Sequence, residues 1–215
     1  MQAVLFDLDG TLLDSTRLLL DGYRHTVLSC LGIATTDEDW LPLMGLPLRE
    51  QMAHFSPERA DEMVRVYRGF YQREHDARVA AYPHAADVLA ELRQMGLALG
   101  VVTSKKTHFA WRGLRITGLA DAVSAVVGED DTVEHKPHPA PILEALRRLA
   151  VAPGQAVMVG DSPHDVAAAH AAGVAAIAAL WGPFSRDALE PLNPTAYAHA
   201  LAAVPGIVRS LCVHT

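Results

Sequence analysis

Cysteine is scarce: only Cys30 and Cys212 occur in 215 residues. Two are too few for a disulfide framework, and each reads as a small apolar core residue. Positive charge is also short. Eighteen Lys and Arg face 25 Asp and Glu, for a net charge of -7. No basic stripe is interleaved with aromatic residues, which argues against nucleic acid as a partner. A bound phosphate would have to be met locally, by a metal ion and a few placed cations. Long hydrophobic runs are missing too. The longest apolar stretch, 166–180, is interrupted by His170 and Gly173 and does not suit a membrane span. No signal-peptide pattern precedes the first apolar run, where residues 1–6 lead straight into acidic residues, so a cytoplasmic location is expected. Internal repeats are absent, and the only compositional bias is the alanine enrichment of 167–179.

What the chain does have is a 50% share of hydrophobic residues, enough to bury a core as one or two domains. The apolar run 3–6 ends in Asp7-Leu8-Asp9-Gly10-Thr11 and reads as a buried parallel strand stopped by a turn. The same grammar recurs three times. Residues 97–102 run into Thr103-Ser104-Lys105-Lys106, 122–127 into Gly128-Glu129-Asp130, and 156–159 into Gly160-Asp161-Ser162-Pro163. Helical patterns lie at 85–95, 107–116, 139–149 and 163–172. Strands alternating with helices predict an α/β fold, a Rossmann-like parallel sheet with helices on both faces. Ligands of such sheets sit outside the carboxyl ends of the strands, and each predicted strand carries its polar cluster at that end.

Residues 15–80 follow another pattern. They hold no strand-like run, and their apolar spacing suits helices at 18–31 and 57–74, with breaks at Gly32, Pro42, Gly45, Pro47 and Pro57. This segment is expected to be an inserted α-helical cap domain (15–80) on an α/β core (1–14 and 81–215). Its two connections, near Asp14-Ser15 and Ala81-Tyr82-Pro83, would form a hinge and let the cap act as a lid.

Asp7 and Asp9 end one strand at a glycine turn, so both carboxylates can converge on one point. Two close anions need a cation or a retained proton, and magnesium suits such an oxygen-rich site. An isolated Asp-x-Asp is more often a cap or a solvated turn; burial of the preceding strand shifts the balance here. Asp161 and Asp165 form a second pair, which could equally be helix caps. Thr103 and Ser104, at a strand end opening a helix, suit phosphate oxygens, although Ser104 could be an ordinary N-cap. Lys136, in the stiff His135-Lys136-Pro137-His138-Pro139 loop, could neutralise charge and orient a nucleophile, or be a solvated lysine. His135, His138 and His164 match no trusted zinc spacing.

In order, Asp-Leu-Asp-Gly-Thr, Thr-Ser-Lys, His-Lys-Pro-x-Pro and Gly-Asp-Ser-x-x-Asp resemble the haloacid dehalogenase superfamily. The helical insert after the first motif resembles the subclass with a small helical cap. The Phe6–Ser15 run, the Gly45-Leu46-Pro47 loop and Trp181-Gly182 are similar to its phosphoglycolate phosphatase and pyrophosphatase branch. The resemblance implies Asp7 as nucleophile, forming an aspartyl-phosphate, and Asp9 as general acid and then base. It implies that Ser104 and its neighbours hold phosphoryl oxygens and that Lys136 bridges Asp7 and phosphate. Mg2+ would be held by Asp7, the Asp9 carbonyl and Asp161, with Asp165 a ligand or a partner behind the ligands. The expected activity is hydrolysis of a small phosphorylated metabolite, a phosphoglycolate-like monoester or pyrophosphate, by a monomer or homodimer. Thr11 and Asp9 favour a phosphatase over a dehalogenase. A sugar phosphomutase-type transferase and a non-catalytic regulatory protein of the same fold are the alternatives. Arg49, Lys105 and Lys106 are the residues expected to read the leaving group.

Overall fold

All four residues of the first apolar run are buried, as a strand covered on both faces requires. A computed structural model describes residues 1–213. The strands are β1 (Ala3–Phe6), β2 (Leu13–Asp14), β3 (Ala80–Ala81), β4 (Ala98–Val102), β5 (Ala125–Val127), β6 (Ala156–Gly160), β7 (Ala175–Ala179) and β8 (Ala196–Ala198). The α-helices are α1 (Thr16–Leu31), α2 (Asp37–Trp40), α3 (Leu48–Phe55), α4 (Ala60–Arg78), α5 (Ala85–Gln94), α6 (Thr107–Ile116), α7 (Ala140–Leu149), α8 (Pro163–Ala171), α9 (Arg186–Leu189) and α10 (Val204–Val213).

Six strands form one parallel sheet in the order β5-β4-β1-β6-β7-β8. Successive residues of a strand face opposite sides, and the core divides accordingly. Val4, Phe6, Leu99, Val101 and Val159 pack with Leu89, Leu92, Leu114 and Val208 on one face. Leu5, Val102, Met158 and Ala178 pack with Ile142, Leu146 and Ala169 on the other. The fold is the α/β arrangement expected. No described helix is long and apolar enough to cross a membrane.

Between β2 and β3 the chain is helical, α1 to α4 with short 3-10 pieces. β2 and β3 pair antiparallel, Leu13 with Ala81 and Asp14 with Ala80, so the two connections of the insert run side by side. Inside the insert, Tyr23 stacks on Trp40 at 4.6 Å and on Tyr67 at 5.1 Å. The same apolar cluster continues from these rings through Leu18 and Leu8 to the sheet, so the insert and the α/β layer share one continuous core.

Differences from the sequence expectation are local. The predicted strand 122–127 is only Ala125–Val127, because Ala120–Ala122 turns as a 3-10 helix. β7 and β8 were not anticipated. β7 reads Ala-Ala-Ile-Ala-Ala, with one β-branched residue, and alanine is depleted in strands; pairing with β6 overrides that propensity.

Candidate active site

Register assembles the site. Phe6 lies opposite Val101 of β4 and Val159 of β6, so Asp7, Thr103 and Asp161 leave the sheet at the same edge. Asp7 N–H still donates to the Val159 carbonyl at 2.9 Å. The chain then doubles back: Leu12 and Leu13 N–H both donate to the Leu8 carbonyl, at 2.9 and 2.8 Å. Gly10 makes this turn possible. Its φ is +87°, and a Cβ there would lie 2.7 Å from Asp161 Oδ2, so a side chain is excluded by both strain and contact. Gly182 approaches from another side, where a Cβ would fall 2.3 Å from the Asp161 Cβ. The Thr11 hydroxyl donates to Asp161 Oδ1 at 2.6 Å, and Trp181 Nε1 donates to the Thr11 carbonyl at 3.0 Å. Asp161 is therefore held in a cradle that fits a carboxylate.

Asp7, Asp161 and Asp165 are all buried. Lys136, also buried, donates from Nζ to Asp7 Oδ1 at 2.7 Å, to Asp165 Oδ1 at 2.6 Å and to the Val102 carbonyl at 3.1 Å. The second oxygen of Asp165 accepts from the Ser162 N–H at 3.1 Å and the Ser162 hydroxyl at 2.6 Å, within the capping box of α8. Burial pushes Asp7 up to about 7, with the charges of Asp165 and Asp9 adding to it and Lys136 opposing. Burial likewise raises Asp161 well above the usual carboxylate range, joined by the charges of Asp7 and Asp165. For Lys136 burial works against the charge, but Asp165 and Asp7 outweigh it and raise its pKa. One ligand atom from each of the three aspartates lies within 4.8 Å of the others. Three buried carboxylates facing one lysine leave negative charge uncompensated, so this donor set fits a hard divalent cation.

Asp9 faces another way. Its carboxylate takes Lys105 Nζ at 2.7 Å and the Ser15 hydroxyl. Lys105 Nζ also donates to the Tyr71 hydroxyl at 2.6 Å, and burial pushes that phenol up to about 12. The Ser104 hydroxyl donates to the carbonyl of Gly45 in the insert. At Gly45, φ is +96° and a Cβ would lie 2.8 Å from His164 Cδ2. The insert thus rests on the sheet edge at this loop. Beneath it is a cavity of about 110 Å3, lined by Asp7, Asp9 and Asp161 on the sheet side.

Of the residues singled out in the sequence, Asp7, Asp9, Thr103, Ser104, Lys105, Lys106 and Asp161 line this cavity. Lys136 and Asp165 stand beside it through their bonds to Asp7 and to each other. Arg49 is not brought there. Its Nε lies 2.8 Å from Asp61 Oδ1, with the side chain 61% exposed. Among the described residues Asp7, Asp161 and Asp165 are the only group placed to share a metal ion, so His135, His138 and His164 form none. Sequence reasoning passed over Gln51, Arg68 and Tyr71, which line the cavity from α3 and α4. Tyr67, Tyr71 and His75 recur every fourth residue, a spacing that reads as a core stripe. In the folded chain the Tyr71 hydroxyl nevertheless accepts from Lys105 Nζ.

A family model described as haloacid dehalogenase-like hydrolase matches residues 4–179. Pyrophosphatase PpaX of Bacillus velezensis is 39% identical over 192 residues, covering 88% of this chain and 89% of that protein. A haloacid dehalogenase-like family hydrolase from Streptococcus pneumoniae superposes with a TM-score of 0.86 at 28% identity, covering 97% of this chain and 98% of the other. A protein from Haemophilus somnus described as a predicted phosphoglycolate phosphatase gives the same score at 25% identity, over 97% and 98%.

Proposed function

The chain belongs to the haloacid dehalogenase-like hydrolase family, as a phosphatase-type member, and from that premise we propose a magnesium-dependent phosphatase acting on a small phosphate ester or anhydride. The observation that carries the reading is Asp7: a buried carboxylate held 2.7 Å from Lys136, among two further buried aspartates, at the floor of a cavity closed by the helical insert.

Asp7 attacks phosphorus as the bond to the leaving oxygen breaks, and Asp9 protonates that oxygen. Water then attacks the aspartyl-phosphate, with Asp9 taking its proton, and phosphate leaves. Lys136 orients Asp7 and opposes the negative charge at phosphorus. Asp165 has both oxygens engaged by Lys136 and Ser162, so its role is to position Lys136. Asp7, Asp161 and the Asp9 carbonyl would hold the magnesium ion, which supplies further positive charge beside the phosphoryl group. Thr103 and Ser104 stand where phosphoryl oxygens would be received. Arg68 and Lys106 line the cavity and make no ion pair among the described residues, which suits an anionic leaving group. That favours a phosphoglycolate-like ester or pyrophosphate, in keeping with the names of the relatives.

The purified protein should hydrolyse at least one of phosphoglycolate, pyrophosphate and an aryl phosphate with magnesium. Turnover should vanish in excess chelator and return on adding magnesium. Full activity in the chelator, or no turnover of any of the three with magnesium, would contradict this function.

A further inference from the structure

Asp9 has to give a proton to the leaving oxygen, yet both of its own oxygens are already engaged. Lys105 Nζ lies 2.7 Å from Oδ1 and 2.7 Å from Oδ2, and the Ser15 hydroxyl also donates to Oδ1. A carboxylate straddled by an ammonium has no oxygen free to turn to a leaving group, and such charge-assisted bonds are strong. Neither partner is sealed off. The side chains of Lys105 and Asp9 are 10% and 13% exposed, and both line the cavity.

The backbone of Lys105 is fixed: its N–H donates to the Thr103 hydroxyl at 3.2 Å, and its carbonyl accepts from the Glu129 N–H at 2.9 Å. What can move is the flexible stem of the side chain. The Tyr71 hydroxyl, on α4 of the insert, accepts from Nζ at 2.6 Å, so the ammonium keeps a partner if it leaves Asp9. Lys105 also stands on the side of the leaving group. Lys136, bonded to Asp7, meets the phosphoryl group from the sheet, whereas Lys105 is bonded to Asp9 and to the insert.

We propose that Lys105 is a positioning residue that holds Asp9 in the free protein and releases it when an anionic leaving group draws the ammonium away. The inference rests on the phosphatase reading and adds to it a dependence of the chemical step on leaving-group charge. A ligand shifts such a contact only by binding one arrangement better than the other. A carboxylate or a second phosphate beside Tyr71 does so, and a neutral group does not. Negative charge on the leaving group therefore raises kcat as well as affinity. An anion bound by Arg68 and Lys106 alone would lower KM and leave kcat unchanged.

The test compares 2-phosphoglycolate with 2-phosphoglycolamide, in which a carboxamide of the same size replaces the carboxylate. With magnesium, wild-type kcat should be higher for the acid by about tenfold or more, within what a general acid contributes. Lys105→Met, similar in length but uncharged, should raise kcat on the amide, bring the ratio below about threefold and raise KM for the acid. A wild-type ratio below about threefold overturns the proposal, whether the carboxylate lowers only KM or the phosphoryl group of either ester displaces the lysine. So does a ratio that Lys105→Met leaves unchanged, as equal losses on both esters from a merely structural contact would. Should the variant fail to fold by circular dichroism, the wild-type ratio decides alone. If neither glycolic ester is turned over, pyrophosphate and phenyl phosphate take their places under the same criteria. If none of the four is hydrolysed with magnesium, the phosphatase reading itself has failed; turnover without the kcat difference removes only the role of Lys105.

Discussion

At the scale of residues, a carboxylate buried beside two others is costly to ionise, and Asp7 shares its surroundings with Asp161 and Asp165 against a single lysine. Unfolded, Asp7 loses its proton near 3.8; folded, near 7. Within that window the folded state binds the extra proton, so stability falls as pH rises, and the whole deficit is present above about pH 7. Asp161 shifts in the same direction. Asp7→Asn should therefore stabilise the metal-free protein at pH 8 by about 1–2 kcal/mol, a few degrees in melting temperature. The gain should shrink towards pH 4. Thermal melts in chelator across this range check it, and a lower melting point at pH 8 would show that the crowding carries no cost. Lys136→Ala is the opposite case. It strands two buried carboxylates, so a loss of about 3–5 kcal/mol in stability and of about a hundredfold or more in kcat is expected on every ester. Arg49→Ala, in an exposed pair with Asp61, should change kcat/KM by less than about twofold. Kinetics of both variants on an anionic ester and an aryl phosphate separate the two. Asp7 and Asp161 were legible because each follows a recognisable strand end, whereas Lys136 stood out only through the resemblance of its His-Lys-Pro loop. Arg49 and Arg68 could not be told apart by spacing, since which face of a cap helix looks down depends on how the insert is tilted.

At the scale of elements, the strand grammar identified β1, β4, β5 and β6 because apolar runs stop at polar turns there. It failed for β7, whose alanines satisfy a helix as well as a strand, and for β8, a three-residue edge strand. Neither contributes a residue to the proposed chemistry, so the site survived the omission. The loop between the short 3-10 turn at Leu41–Leu43 and α3 was legible as a break, but its contacts were not. Gly45 offers its carbonyl to Ser104 and leaves no room for a Cβ beside His164. Gly45→Ala should therefore push the insert off the sheet edge and lower kcat/KM by about tenfold or more. The melting temperature should move by only a few degrees, because Met44 is the loop's single buried member of a much larger apolar core. Steady-state kinetics alongside a thermal melt would show this; unchanged kinetics would mean that the loop has no part in closing the cavity.

At the scale of the whole molecule, the proposed function divides chemistry and recognition between a sheet that presents its carboxyl edge and an insert that covers it. The division follows from topology: β1, β4 and β6 end side by side, whereas both connections of the insert pass through the β2–β3 pair. Their shared apolar core keeps the two parts in register. The insert's side of the cavity was the less legible half, because Arg68 and Tyr71 line it from a helix whose spacing reads as a core stripe. The central claim is narrower and belongs to the floor: phosphorus passes through the carboxylate of Asp7. Rapid acid quenching during turnover, followed by mass spectrometry of peptides, tests it directly. The peptide carrying Asp7 should gain one phosphoryl group that hydroxylamine removes, and Asp7→Asn protein should show neither the modification nor turnover. A phosphoryl group found on another residue, or undiminished turnover by Asp7→Asn, would contradict the account.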